Sequence, residues 1–329
     1  MAKLADVAAL AGVSVTTVSR VINNYGSLSE KTKQKVYAAM RELNYQPNSL
    51  ARSLQGKHTQ LIGLIFPGVS NPFYGELVQT LENQLFKLGY RVILCNSVND
   101  AEKEREYVRM LLANQVDGII TGTHNLTVSE YQQISAPLIA FDRHLGDTIP
   151  IVSSDNYAGG RLATNALINT GAESVWMLTG ANRPLSPTNE RLRGYQDVMQ
   201  DKGLKPHVLE LPFSMATELK WAAIKQALET AVPDAIFASD DLTAMMTIQI
   251  AKQLGISVPE RMRIVGYDGT RMIRSYYPEL ATVVQPIEAI SALMIDLLLK
   301  RIEDDHATLD PQYVVPVQLH AAATLLGEA

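Results

Sequence analysis

The sequence predicts an all-α helix-turn-helix head followed by a larger α/β body of two doubly wound subdomains. Three observations predict it. Residues 1 to 57 read as short helices without a strand-like run, and two of them join through a tight Gly-Val-Ser turn. From Gln60 onward, short β-rich runs alternate with amphipathic helices, the pattern of parallel sheets covered on both faces. Charge divides at the same place. Residues 1 to 57 carry eight basic side chains against three acidic ones, a net +5, and the remainder of the chain carries −10. A small basic segment on a large acidic one is the footprint of a nucleic-acid-binding module, or else a patch of solvated helix surface. At 329 residues, 47% of them hydrophobic, the chain exceeds one ordinary domain.

The head takes its helices from local signals. Leu4–Ala11 is built of helix formers and ends at Gly12, a natural C-cap. Lys3 stands at the N-cap, a poor choice because it offers no acceptor and its charge opposes the helix dipole. Ser14 caps a second helix, Val15 to Asn23, and Ser29 caps a third, in which Val36, Met40 and Leu43 recur at helical spacing. Val7, Ala8, Val13, Val18, Val21 and Ile22 supply the small core. After Pro47, the segment Asn48 to Leu54 is too short to hold a helix alone in water. The expected divisions are a head over 1–46, a hinge over 47–59 and a body over 60–329.

In the body, strands are predicted at Leu61–Phe66, Arg91–Asn96, Asp117–Thr121, Leu138–Phe141, Ser174–Thr179, Ala235–Ala238 and Ile264–Tyr267. Helices are predicted at Tyr74–Leu88, Ala101–Ala113, Asn156–Thr170, Asn189–Lys202 and Asp241–Leu254. These units exceed one doubly wound sheet, so two subdomains with a cleft between them are expected.

Several function classes are disfavoured. The lone Cys95 excludes an intrachain disulfide and fits a reducing compartment. No apolar run reaches transmembrane length, and Asp6 and Gly12 break the N-terminus as a signal peptide, so a cytoplasmic protein with no membrane partner is expected. There is no phosphate-binding or dinucleotide-binding glycine motif and no nucleophile elbow. The six histidines lack metal-ligand spacing. No cofactor, no metal and no catalysis are expected.

The segment Leu4-Ala-Asp-Val-Ala-Ala-Leu-Ala-Gly-Val-Ser-Val-Thr-Thr-Val-Ser-Arg-Val-Ile-Asn23 resembles the opening of the lactose/galactose repressor family, as does Leu43-Asn-Tyr-Gln-Pro-Asn48. Downstream, Gly63-Leu-Ile-Phe-Pro67, Asn71-Pro-Phe-Tyr74, Val116-Asp-Gly-Ile-Ile120 and Gly266-Tyr-Asp268 are similar to that family's effector domain, of the periplasmic-binding-protein type I fold. The resemblance spans essentially the whole chain, and within the family it is most similar to regulators of sucrose operons. It implies a homodimer on double-stranded operator DNA, controlled by a sugar or sugar phosphate. With no terminal heptad extension after Leu326, a dimer is expected over a tetramer.

In such a head the second helix enters the major groove with its early side chains on base edges. Val15, Thr16 and Arg20 are the candidates here. Arg20 can grip a guanine with two hydrogen bonds or hold a phosphate, and Val15 can meet a thymine methyl or pack in the core. Thr17, Ser19, Asn23 and Ser29 are candidates for phosphate contacts. The resemblance implies that the hinge, with Asn48, Ala51 and Leu54, becomes helical on DNA and wedges Leu54 into the minor groove. Alternatively, Leu50 and Leu54 are linker residues resting on the effector domain.

Ligands of parallel sheets bind beyond the C-terminal strand ends. Asn71, Phe73, Tyr74, Asp142, Asp240 and Asp268 follow predicted strands, and Arg191 opens a helix. Phe213 is a further aromatic candidate. Carboxylates, one arginine and aromatic plates suit a polyhydroxylated ligand. Each aspartate can instead cap a helix or make a turn, and Asp241 is expected to be the cap of the helix it begins.

Overall fold

A computed structural model describes residues 2–22, 25–45, 58–98, 100–123, 125–180 and 187–327. The chain divides into two compact units, Met1–Thr59 and Gln60–Ala329. The hinge candidates Asn48, Ala51 and Leu54, and Asn23, lie outside the described residues.

The small unit holds α1 (Leu4–Ala11), α2 (Val15–Ile22) and α3 (Glu30–Glu42). Val7, Ala8, Ala11, Val18, Val21, Val36 and Ala39 pack into its core. Gly12 ends α1 in the left-handed conformation, φ 65°, which glycine adopts without penalty. Lys3 occupies the α1 N-cap without a side-chain cap bond, and Asp6 instead accepts from the Lys3 N–H at 2.7 Å. Ser14 accepts from Thr17 N at 3.1 Å, and Ser29 from Thr32 N at 3.2 Å, as good N-cap residues do.

The large unit is two α/β subdomains. The first has the strands β1 (Leu61–Phe66), β2 (Arg91–Asn96), β3 (Gly118–Thr121), β4 (Leu138–Phe141), β5 (Ile151–Ser154) and β11 (Gln312–Val315), ordered β11-β5-β4-β3-β1-β2 and parallel throughout. The second has β6 (Val175–Thr179), β7 (His207–Glu210), β8 (Ala235–Ala238), β9 (Arg263–Asp268), β10 (Ala281–Val284) and β12 (Gln318–His320), ordered β12-β10-β9-β8-β6-β7. Among the described residues only β12 runs antiparallel, against β10.

Helices cover both faces of each sheet, which is why the central strands read as continuous apolar runs. Helix α4 (Pro72–Lys87) and α12 (Ile287–Glu303) seal one face of the first sheet, while α5 (Ala101–Ala113) and α6 (Val128–Gln132) seal the other. Around the second sheet, α7 (Asn156–Asn169), α8 (Glu190–Asp201) and the short α13 (Ala323–Leu326) lie on one face. On the other are α9 (Thr217–Thr230), α10 (Asp241–Gln253) and α11 (Arg271–Tyr276). The chain crosses between subdomains three times: from β5 into α7, from β10 into α12, and from β11 into β12. All the predicted body strands and helices are present, with ends shifted by at most two residues; β5, β7, β10, β11 and β12 were not predicted.

Candidate functional site

The C-terminal ends of both sheets open into one cavity of about 470 Å³. Asn71, Phe73, Tyr74, Asp142, Arg191, Phe213, Asp240 and Asp268 all line it. The first four come from one subdomain and the last four from the other.

One wall is aromatic. Asn71 caps α4 by accepting from Phe73 N at 2.8 Å, which places Phe73 and Tyr74 in the first turn. Phe73 stacks on Phe141 with ring centroids 5.7 Å apart, and Tyr74 meets it edge-on at 5.6 Å. Such pairs give a rigid apolar plate for the C–H face of a ligand. Phe213, 63% exposed, stands at the rim beside Lys220.

The facing wall is charged and centred on Arg191, which is buried. Its guanidinium lies 3.6 Å from the Tyr267 ring centroid. Nε donates to Asn156 Oδ1 at 2.7 Å, Nη1 donates to the Ser239 carbonyl at 2.7 Å, and Asp268 Oδ1 is 3.9 Å away. Burial opposes the cation, but Tyr267, Asp268, Asp142 and Asp240 more than offset it, so the Arg191 pKa is raised. Asp142 and Asp268 both have left-handed backbones, φ 54° and 112°, the kind of strain that collects at binding sites. Burial pushes the Asp142 carboxyl up, against the pull of Arg191, Arg143 and the Asn156 amide. It pushes Asp268 well above the usual carboxylate range, with Asp241 and Asp240 adding to the effect. Gln285 holds Asp268 by donating at 2.7 Å. Protonated acids and carboxylates side by side can both donate to and accept from hydroxyl groups.

One expectation is reversed. Asp240, not Asp241, caps α10, accepting from Thr243 N and Oγ1, each at 2.8 Å. Asp241 is the first helical residue, and its side chain turns inward, accepting from Gly269 N at 2.8 Å and Thr282 Oγ1 at 2.6 Å. Both residues have cap chemistry, and the helix start decides between them. The sequence reading also missed Lys220, Trp221 and Gln285 in the lining. The adjacent Lys220-Trp221 pair, early in α9, was the available signal for the first two.

In the head, Val15 is 46% exposed and Thr16 and Arg20 are exposed, while Val18 and Val21 are buried. The exposed stripe of α2 therefore carries the three side chains expected to meet base edges. Arg20 also borders a surface concavity with Tyr25, Gly26, Ser27 and Leu28. The Thr17 hydroxyl lies 2.8 Å from that of Ser14, and Ser29 exchanges a hydrogen bond with Thr32 at 2.9 Å. Ser19 is partly buried on the same helix. Among the described residues, no single helix is long and apolar enough to cross a membrane.

Comparison with known proteins decides the family. A model of bacterial regulatory proteins of the lacI family matches residues 3–48, and a periplasmic binding protein-like domain matches residues 164–324. The chain is 57% identical to the sucrose operon repressor of Pediococcus pentosaceus, over 96% of this chain and 97% of that one. The chain belongs to the lacI family. Its fold matches the lac repressor dimer bound to operator and the anti-inducer ONPF, with a TM-score of 0.84 and 28% identity over 99% of each chain. It also matches a periplasmic binding protein/LacI transcriptional regulator from Alkaliphilus metalliredigens complexed with D-xylulofuranose, with a TM-score of 0.72 and 31% identity, over 81% of this chain and 99% of that one. Like other lacI-family members, this chain is a transcriptional regulator with a DNA-binding helix-turn-helix head and a ligand-binding α/β body.

Proposed function

We propose that the chain is a homodimeric repressor of a sucrose-utilisation operon, released from its operator when a sugar occupies the cleft. It acts in the cytoplasm by binding alone and catalyses no reaction. The observation that carries the reading is a cleft lined by acids, an arginine and aromatic rings in a chain 57% identical to a sucrose operon repressor.

The cleft suits an uncharged sugar at its deep end. Three acids, Asp142, Asp240 and Asp268, share the lining with three cations, Arg143, Arg191 and Lys220, a mixed set of donors and acceptors that suits hydroxyl groups. Arg191 already commits Nε and Nη1 to protein acceptors and lies near Asp268, so only part of its donor set is left for a ligand. Hydroxyls would bind between Asp142, Asp240, Asp268 and Arg191, with Asn71 at the edge and Phe73, Tyr74 and Phe213 against the ring faces. A sugar phosphate would carry its anion toward Lys220 at the rim.

On DNA, Val15, Thr16 and Arg20 read base edges, and Thr17, Ser19, Asn23 and Ser29 hold phosphates. The hinge, through Asn48, Ala51 and Leu54, folds in the minor groove and bends the duplex. A ligand that prefers the closed cleft shifts the protein from its DNA-competent state by the difference in its affinity for the two. The test is fluorescence anisotropy with a fragment from a sucrose-gene promoter and with random duplex, each with and without sucrose, fructose and their phosphates. The reading expects a preference of about 10³-fold or more for the promoter, weakened by at least one of these sugars. Equal binding to both duplexes, or no response to any sugar, would refute it.

A further inference from the structure

Behind the charged wall, outside the cavity lining, lies Asn156, 3% exposed. It is the first residue of α7, where the chain enters the second subdomain. Its Oδ1 accepts from Arg191 Nε at 2.7 Å. Its Nδ2 donates to Asp142 Oδ1 at 3.0 Å and to the Ser154 carbonyl at 3.1 Å. Chemistry fixes this orientation of the amide: a guanidinium only donates, and a carboxylate and a carbonyl only accept. Asp142 follows β4 in one subdomain, and Arg191 opens α8 in the other. One buried amide therefore grips the two charged groups that face each other across the cleft, beside a chain crossover.

A second crossover joins the same place. Ser154 Oγ donates to Gln285 Oε1 at 2.8 Å, and Gln285 in turn donates to Asp268. Any rotation of one subdomain against the other must stretch or turn the Asn156–Asp142 bond, because its two ends belong to different bodies. Interactions of this kind, hydrogen bonds to charged groups in a buried setting, are among the stronger ones a side chain makes.

We propose that Asn156 is a positioning residue for the effector: it aims Asp142 and Arg191 into the cleft and ties their aim to the angle between the subdomains. Ligand occupancy and subdomain closure then act on one another through this amide. The proposal rests on the reading of the cleft as a sugar site.

Asn156→Asp tests it in the full-length protein. The substitution keeps the side chain's shape and the acceptor facing Arg191. It replaces the donor facing Asp142 and the Ser154 carbonyl by a second carboxylate oxygen. At pH 8 the two acids repel, whereas at pH 6 a proton taken up between them restores a donated bond. The other charged or titratable groups facing Asp142 are Arg143, Arg191, Tyr74, Tyr267 and Asp268, and all are unchanged in the variant.

The readout is the concentration at which the effector, whichever of sucrose, fructose and their phosphates releases the parent protein, half-releases a promoter duplex. In the variant it rises roughly 10- to 100-fold at pH 8 and returns to within a few-fold of the parent at pH 6. Operator affinity without sugar is the control and stays within about threefold at both pH values. Asn156→Ser removes the amide's contacts with Arg191, Asp142 and the Ser154 carbonyl and adds no charge, so its response weakens at both pH values without recovery. A merely structural role for Asn156 gives no recovery on acidification. Parent-like release by Asn156→Asp at both pH values overturns the proposal. So does loss of operator binding by both variants, since Asn156 then serves only the fold. A parent protein that ignores sucrose, fructose and their phosphates overturns the cleft reading and the proposal with it.

Discussion

Asp241→Asn should flatten the pH dependence of the body's stability. The Asp241 side chain is 2% exposed, and burial pushes its carboxyl up to about 7, with the charge of Asp240 adding to the shift while Thr282, Gly269 and Arg191 oppose it. In the unfolded chain the same group titrates at about 4. The folded value is the higher one, so between about pH 4 and 7 the folded protein keeps a proton that the unfolded chain has released. The stability linked to that proton is complete below about pH 4 and is lost as the pH rises through about 7. A gap of about three units corresponds to about 4 kcal/mol. Asp268 shifts in the same direction, so part of the slope survives the substitution. An amide suits the site: its oxygen can accept from Gly269 N–H, and its nitrogen can donate to the Thr282 hydroxyl. The assay is urea unfolding at pH 5 and pH 8, followed by the fluorescence of Trp176 and Trp221, which share the second subdomain with Asp241. About one unit of the gap is already lost at pH 5, so the parent should lose about 2–3 kcal/mol more than the variant between those two pH values. Parallel profiles would mean that Asp241 is ionised in the folded protein at neutral pH, and the argument would fail.

Three further substitutions probe other parts of the account. Arg20→Ala should reduce the preference for promoter over random duplex by roughly 1–3 kcal/mol in anisotropy titrations, and an unchanged ratio would remove Arg20 from the base-reading set. Gly160→Ala would set a methyl against the Arg191 carbonyl where α7 and α8 cross closely; a loss of roughly 1–3 kcal/mol in calorimetry, together with weaker sugar binding, is expected. Tyr131→Phe removes one of three donors to the buried Glu104 carboxylate, which Thr123 and Asn125 also hold. Calorimetry should show a cost of about 1–3 kcal/mol, and a neutral result would mean that the remaining two donors satisfy that acid.

Much of this was readable from local chemistry. Gly12, Ser14 and Ser29 mark the ends of the head's helices because each performs one backbone task that few residues can. The central strands were readable because burial on both faces leaves continuous apolar runs such as Leu61–Phe66. The edge strands His207–Glu210, Gln312–Val315 and Gln318–His320 were not, since none is fully covered and each is short. Ile151–Ser154 is buried but closes on two serines, which read as a turn. Missing β5, β10 and β11 hid the crossovers, and with them the place of Asn156 and Gln285. The eight predicted cleft residues converge because strand ends in a parallel sheet share one edge; their contact with a sugar is the proposal above. The exchange of roles between Asp240 and Asp241 had no local signal, because inward rotation of Asp241 depends on Gly269 and Thr282, which come from distant segments.

The central claim is that the cleft and the DNA-binding head are energetically coupled, and linkage makes that claim reciprocal. Trp221 lines the cavity, so its fluorescence reports sugar binding directly. Sucrose affinity should be measured on the free protein and on protein saturated with promoter duplex. The account predicts weaker sugar binding on DNA, by the same factor by which sugar weakens operator binding. Equal sucrose affinity with and without the duplex would contradict it.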